Sequence, residues 1–204
     1  MASDQHGDAT AIASQIIQMF RQKGDAAYVG EEVTQTEHAL QAATAAERDG
    51  ADCELIAAAL LHDVGHLLHN FPEDCAESGI DDQHQLLGEV FLKKHFSSRV
   101  TEPVRLHVAA KRYLCSTNPT YWDRLSAASK TSLELQGGVM TDEEIVRYEA
   151  GQFAREATQL RGWDDEAKVV GFETRNWEHF RQPLIAALEL AGDQASDIQH
   201  PSDK

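Results

Sequence analysis

The pair His62–Asp63, in the stretch "ALLHDVGH", is where this chain could do chemistry. Four further candidate ligands stand at helix-like positions around it: His38, His84, His107 and Asp164. Neutral imidazole suits iron, zinc and other borderline first-row metals, whereas carboxylate prefers harder, more oxidised ions. Four histidines and two carboxylates exceed what one ion needs. They suit two ions with Asp63 between them, because one carboxylate can offer each oxygen to a different metal. His38, His62, Asp63 and Asp164 would then hold one ion, and Asp63, His84 and His107 the other. The second ion would keep open positions for a chelating substrate or for dioxygen. Burying His62–Asp63 in the apolar run "LIAAALLHDVGHLL" without such a partner would be costly. Asp165 is the rival to Asp164. Asp164 is preferred because it directly follows Trp163, which would anchor a turn against the core.

Other residues are spaced to meet an anion held by those metals. His66 lies four residues after His62, and Lys111 four after His107, each pair on one helix face. Ser129 and Ser132 offer hydroxyls, and Gln136 precedes two glycines that allow close backbone approach. For the serines, helix capping or solvent contact is an equally good reading on spacing alone.

The elements that must position these groups read as helices throughout. Ile12, Ile16, Met19 and Phe20 recur at helical spacing over 9–23, and Gly24 stops that helix. A loop leads into a helix that ends at Gly50. Residues 52–68 read as one apolar helix carrying His62–Asp63, and 69–82 as a loop. Helices follow at 83–96, 100–115 and 119–135. Thr141 with Glu144 three residues on is a capping signal for the next. Helix then continues over 151–162 to Gly162, and a last one spans 176–191. No strand-period segment, internal repeat or linker is present. The expected fold is therefore all-α: a single helical bundle over 9–191 around a dinuclear metal centre. Residues 1–8 and 192–204 are expected to be disordered.

A formal net charge of −16 over 204 residues repels polyphosphate, so nucleic-acid binding is not expected. A small anion must be drawn in by a local cluster of metal and basic groups. No apolar run is long enough to cross a bilayer, and "MASDQHGDAT" has no signal-peptide pattern. Three cysteines, odd in number and without zinc-finger spacing, fit reduced thiols in a cytoplasm.

Taken together, "YVGE" before the first ligand histidine, "HDVGH", "HVAAKRYL" and "SLELQGG" resemble the PhnZ/TmpB group of HD-domain oxygenases over about Gly24 to Lys168. The resemblance implies two iron ions, mixed-valent Fe(II)/Fe(III), on His38, His62, Asp63, His84, His107 and Asp164. It implies that Tyr28 closes an iron's open position before substrate arrives and that Glu31 works with it at the substrate's amino end. It matches His66, Lys111, Ser129, Ser132 and Gln136 to the phosphonate-binding groups; one branch of the group has threonine where Ser132 stands, which keeps the hydroxyl. The implied activity is O2-dependent cleavage of the carbon–phosphorus bond of a small hydroxyphosphonate, with a 2-oxoglutarate-dependent hydroxylase acting upstream. The 69–82 loop departs from one branch of the group and looks more like the branch that acts on the trimethylated substrate, 1-hydroxy-2-(trimethylammonio)ethylphosphonate, giving glycine betaine and phosphate. (R)-2-amino-1-hydroxyethylphosphonate, giving glycine and phosphate, is the alternative substrate. Outside this chemistry the alternatives are a metal-dependent phosphohydrolase and a non-catalytic metal-binding module. A quaternary ammonium would seek carboxylate charge and aromatic faces, which Glu31, Tyr28 and Phe71 could supply.

Overall fold

The computed structural model describes residues 2–28, 31–69 and 79–199. Val29, Gly30, Phe71, Pro72 and Cys75 lie outside them. Among the described residues the architecture is all-α, with one isolated bridge between Ala27 and Thr34. No described helix is long and apolar enough to cross a membrane.

The organising element is α3 (Cys53–Leu61), buried from Glu54 to Leu61. A helix apolar on every side must be surrounded. Here α2 (Gln35–Arg48), α5 (Ser98–Thr117), α9 (Ala154–Glu166) and α10 (Trp177–Gln199) pack around it. Helix α1 (Ala2–Lys23) packs against α10 on the far side, and α4 (His84–Leu92) packs against α5. The main core runs through Ile17, Phe20, Leu60, Leu61, Val104, Leu160, Phe180 and Leu184.

Local chemistry sets the ends of these elements. Thr34 and Glu37 form a reciprocal capping box that starts α2. The Thr141–Glu144 box starts α8 (Asp142–Glu149), as its sequence indicates. Asp52 caps α3 by accepting from Leu55 N. Arg99, near the start of α5, donates to Glu54 at 2.6 Å and to Asp52 at 2.6 Å. That clip fixes the His62-bearing chain against the helix that carries His107.

Several sequence-based boundaries are corrected. The helix expected over 52–68 stops at Leu61; His62 and Asp63 form a turn, and Val64–Leu67 is a short 3-10 helix. Successive side chains on an unbroken α-helix diverge by about 100°, whereas the break lets His62 and Asp63 aim at one centre. His66 is thus reached through a 3-10 turn and not along an α-helical face. The helix expected over 83–96 ends at Leu92. The one expected over 119–135 is two, α6 (Tyr121–Arg124) and α7 (Ala127–Leu135), parted where Ser126 takes extended geometry and caps α7. Gly162 is interior to α9, which continues to Glu166, so Asp164 sits in its last turn and not in a turn beyond it. Helical backbone also extends beyond the expected 9–23 and 176–191, starting at Ala2 and ending at Gln199.

Candidate metal centre and its pocket

Five elements deliver six donor side chains to one point. His38 comes from α2, His62 and Asp63 from the turn after α3, His84 from the start of α4, His107 from mid-α5 and Asp164 from the end of α9. All six are buried. Gly65 makes the approach of α4 possible: a Cβ there would lie 2.0 Å from the His84 carbonyl oxygen. This is the physical content of the glycine in "HDVGH".

The donors fall into two groups, His38–His62–Asp164 and Asp63–His84–His107. Nε2 of His38 is 3.0 Å from Nε2 of His62, 3.4 Å from Asp164 Oδ1 and 3.5 Å from Asp63 Oδ2. Nε2 of His84 is 3.2 Å from Nε2 of His107, and each is 3.4 Å from Asp63 Oδ1. The two oxygens of Asp63 therefore face different groups. Donors at ~2.0–2.2 Å from a common ion, ~90–110° apart, lie roughly 2.9–3.6 Å from one another. The observed separations match.

Hydrogen bonding leaves these groups suited to a cation. His38 Nδ1 donates to the Ala167 carbonyl at 2.8 Å, His62 Nδ1 to Ala59 at 2.8 Å and His107 Nδ1 to Val104 at 2.7 Å. A carbonyl only accepts, so each Nδ1 carries the hydrogen and each neutral ring presents an Nε2 lone pair. In both groups, lone pairs converge beside carboxylate oxygens. Asp63 Oδ1 and Asp164 Oδ1 are buried with no hydrogen-bond partner among the described residues. Burial opposes the charged forms of both carboxyls. The surrounding imidazoles and, at Asp164, the Arg161 guanidinium outweigh it and hold both well below the usual carboxylate range. Burial alone would strip the proton from His62, but Asp63 and Asp164 reverse this and raise it to about 10. Without a metal, that proton would stand in for the missing positive charge. The donor set, imidazole-rich with carboxylates, fits two first-row transition ions.

One pocket opens on this centre. Asp63, His84, His107 and Asp164 line it; His38 and His62 stand behind. Tyr28, also in its wall, stacks on His38 with ring centroids 3.9 Å apart at 15° and so covers the first group. Burial, then Asp63 and Asp164, push its hydroxyl well above the ordinary tyrosine range. The second group, with three protein donors, faces the cavity.

The wall opposite is cationic, in a chain whose net charge is −16. Lys111, 3 % exposed, donates to Ser132 Oγ at 2.8 Å. Burial, reinforced by Arg161, pushes its ammonium down to about 7. Lys168 donates to Ser129 Oγ at 3.0 Å, lies 3.5 Å from Glu31 Oε1 and sits 5.7 Å from the centroid of the Tyr28 ring. Gln136 Oε1 and Glu31 Oε1 are buried and without hydrogen-bond partners among the described residues. His66 stacks on His84 at 4.1 Å and donates from Nδ1 to Asp82 at 2.7 Å.

The structure thus brings together the thirteen residues singled out in the sequence: six as donors, and Tyr28, Glu31, His66, Lys111, Ser129, Ser132 and Gln136 around the pocket. Asp165 turns away to Arg161 and Tyr121. Sequence reasoning missed Asp82, Arg161 and Lys168. Arg161 donates to Asp164 Oδ2 at 2.7 Å, one helical turn away. That i,i+3 pairing would have been visible had α9 been carried past Gly162.

Residues 36–178 match the HD domain family model. The chain is 44% identical over 175 residues to a hydroxymethylphosphonate dioxygenase of Gimesia maris, covering 85% of this chain and 87% of the relative. It is 43% identical over 170 residues to a [1-hydroxy-2-(trimethylamino)ethyl]phosphonate dioxygenase (glycine-betaine-forming) of Leisingera caerulea, covering 83% and 86%. An uncharacterised protein of Acanthamoeba polyphaga mimivirus is 33% identical over 175 residues, covering 85% and 80%. By donor geometry and by these likenesses, the chain belongs to the HD-domain family, in the group that includes these two dioxygenases.

Proposed function

We propose that this protein is an O2-dependent phosphonate dioxygenase. Its substrate is 1-hydroxy-2-(trimethylammonio)ethylphosphonate and its products are glycine betaine and phosphate. The reaction balances as substrate dianionic at phosphorus plus O2 giving the betaine, hydrogen phosphate and one proton. C1 loses its hydrogen and its bond to phosphorus and becomes a carboxylate carbon. The observation that carries the reading is the juxtaposition of a three-donor metal group with a buried cationic and hydroxylic wall in one pocket.

We assign two irons to the donor groups, as a mixed-valent Fe(II)/Fe(III) pair. Bound there, they supply the redox chemistry with O2 and the open positions that a 1-hydroxyphosphonate can chelate. The chain's own residues bind and orient. Lys111 and Lys168 offset the phosphonate charge, with the Ser132 and Ser129 hydroxyls already hydrogen-bonded to them. Gln136 turns an amide to the same end of the pocket, and His66 forms its wall beside His84. Glu31 answers the quaternary ammonium, and Tyr28 closes the centre until substrate displaces it. Nearby metal charge would reverse the field that keeps the Tyr28 hydroxyl protonated. The same chemistry on the N-unmethylated analogue would give glycine. The relative that acts on hydroxymethylphosphonate favours a second reading, in which the substrate has no cationic end and the organic product is formate. In either reading a hydroxylase acting upstream, of the 2-oxoglutarate-dependent class, would install the C1 hydroxyl.

The test is to incubate iron-loaded protein in air with the trimethylated, free-amine and one-carbon hydroxyphosphonates, following O2, phosphate and organic product. One O2 consumed per phosphate, with glycine betaine formed from the trimethylated compound fastest, is the expected result. Formate produced fastest would move the assignment to the one-carbon substrate. Phosphate released equally well without oxygen would replace the dioxygenase with a phosphohydrolase.

A further inference from the structure

Three imidazoles converge on one carboxylate beside the metal centre. Asp82 is 8 % exposed. Its Oδ1 accepts from His84 Nδ1 at 2.8 Å and from the His84 backbone N–H at 3.2 Å. Its Oδ2 accepts from His66 Nδ1 at 2.7 Å and from His69 Nε2 at 3.0 Å. Asp82, His66 and His84 also come close enough to be read as a third metal-binding group. The hydrogen bonds argue otherwise. Here each contact pairs an N–H donor with a carboxylate acceptor and needs no cation, unlike the facing lone pairs of the two groups above.

The backbone builds this contact deliberately. Gln83, between Asp82 and His84, takes a left-handed conformation, φ 50°. Few non-glycine residues adopt it. It folds the Asp82 side chain back onto the ring two residues on, as Asp does in Asx-type turns. The other three ligand histidines orient their rings on neutral main-chain carbonyls. Only His84 has a carboxylate behind it, and His84 belongs to the group with three protein donors. A carboxylate behind a ligating imidazole fixes its tautomer and raises its basicity. What the open group lacks in donor number, it recovers in donor strength.

We propose that Asp82 is a positioning residue: one oxygen fixes the ring and tautomer of His84 at the open metal group, while the other fixes His66 in the pocket wall. The inference rests on the two-metal reading of the site. A single carboxylate then links the strength of metal binding at that group to the placement of a substrate-facing ring.

Cobalt(II) titration of the metal-free full chain, followed by its visible absorption, tests this without phosphonate or oxygen. Wild type is expected to take up two ions. Asp82→Asn, which keeps the side chain's shape, should retain one site and weaken the other about 10- to 100-fold. Asp82→Glu, which keeps the charge but displaces it by a methylene, should weaken the same site less. If Asp82→Asn loses its helical circular dichroism, the Glu variant gives the reading on its own. Two sites of wild-type strength in a folded variant would overturn the proposal. Two cobalt ions bound by wild type and the expected loss in Asp82→Asn, with no phosphonate oxidised by the iron-loaded protein in air, would sink the proposed function and leave this inference standing.

Discussion

The two donor groups share Asp63 and differ in almost everything else. The His38–His62–Asp164 group gains a fourth donor from Asp63 Oδ2, orients its rings on main-chain carbonyls and lies beneath Tyr28. The His84–His107 group has only Asp63 Oδ1 in addition, is backed by the Asp82 carboxylate and lines the pocket. The first is enclosed by the fold's central elements, α2, α3 and α9. The second is built on α4 and α5, with α4 resting on the 3-10 turn through the Gly65 contact. Two ions held this way would have separate duties. One would have four protein donors, while the other, with three, would keep positions free for what enters the cavity.

The sharpest way to break this contrast is to remove what the groups share. Asp63→Ala should lose both metals and reduce turnover to background, because among the described residues no other carboxylate reaches both groups. Metal analysis together with O2 uptake checks it. Retention of one full equivalent would mean that Asp63 is not the link.

Removing a donor from one group only should separate them. His107→Ala is expected to fall from two metals per chain toward one, with catalysis lost and the remaining ion held about as tightly as before. Loss of both ions in parallel would show that the groups are not independent.

Lys111 sharpens the comparison on the pocket side. Lys111→Met should raise the Michaelis constant about 10- to 100-fold, the range of a lost charge-assisted hydrogen bond, with metal content near normal. The phosphonate needs the ammonium form, whose proton affinity burial has lowered to about 7. Substrate affinity should therefore be full below that pH and fall as pH rises through it. Lys111→Arg should remove the limb, since guanidinium keeps its charge. Stability responds with its own sign. Between about 7 and the ordinary lysine value of 10.5, the unfolded chain binds the extra proton, so Lys111's contribution to stability improves as pH rises across that window. At neutral pH, Lys111→Met should thus melt higher than wild type. A lower melting temperature would make the lysine a structural residue.

The smallest expected effect lies at Gly162, outside both groups. It stands inside α9, and a Cβ there would meet nothing within 4 Å. Gly162→Ala should stabilise by about 0.5–1 kcal/mol, an increase of about 1–4 °C in a chain of this size. Metal content and activity should not change. A loss of either would tie this position to the centre.

The same position shows where sequence reading stopped. Ligand types and order were legible because imidazole and carboxylate chemistry constrains them strongly, and α3 was legible because it is apolar on every side. Gly162 read as a helix end because local propensity disfavours glycine, whereas tertiary packing of α9 on α5 carries the helix through it. The break after Leu61 left no mark in hydrophobic periodicity, since the residues on both sides are apolar and buried. It is set by the need for His62 and Asp63 to converge. Lys168 and Asp82 were missed for a third reason. Glu31 and Ser129, the partners of Lys168, and His66, one partner of Asp82, are brought near only by the folded chain, while the contact of Asp82 with His84 two residues on depends on the left-handed backbone at Gln83.

The donor geometry implies two ions on either side of Asp63, one of them open to the pocket. Anomalous diffraction at the iron edge from crystals of the iron-loaded protein tests it most directly. Two peaks about 3.5–4 Å apart are expected, flanking the Asp63 carboxylate, with the ion on His84 and His107 carrying non-protein ligands from the cavity. A single peak, or Asp63 bound to neither ion, would contradict it.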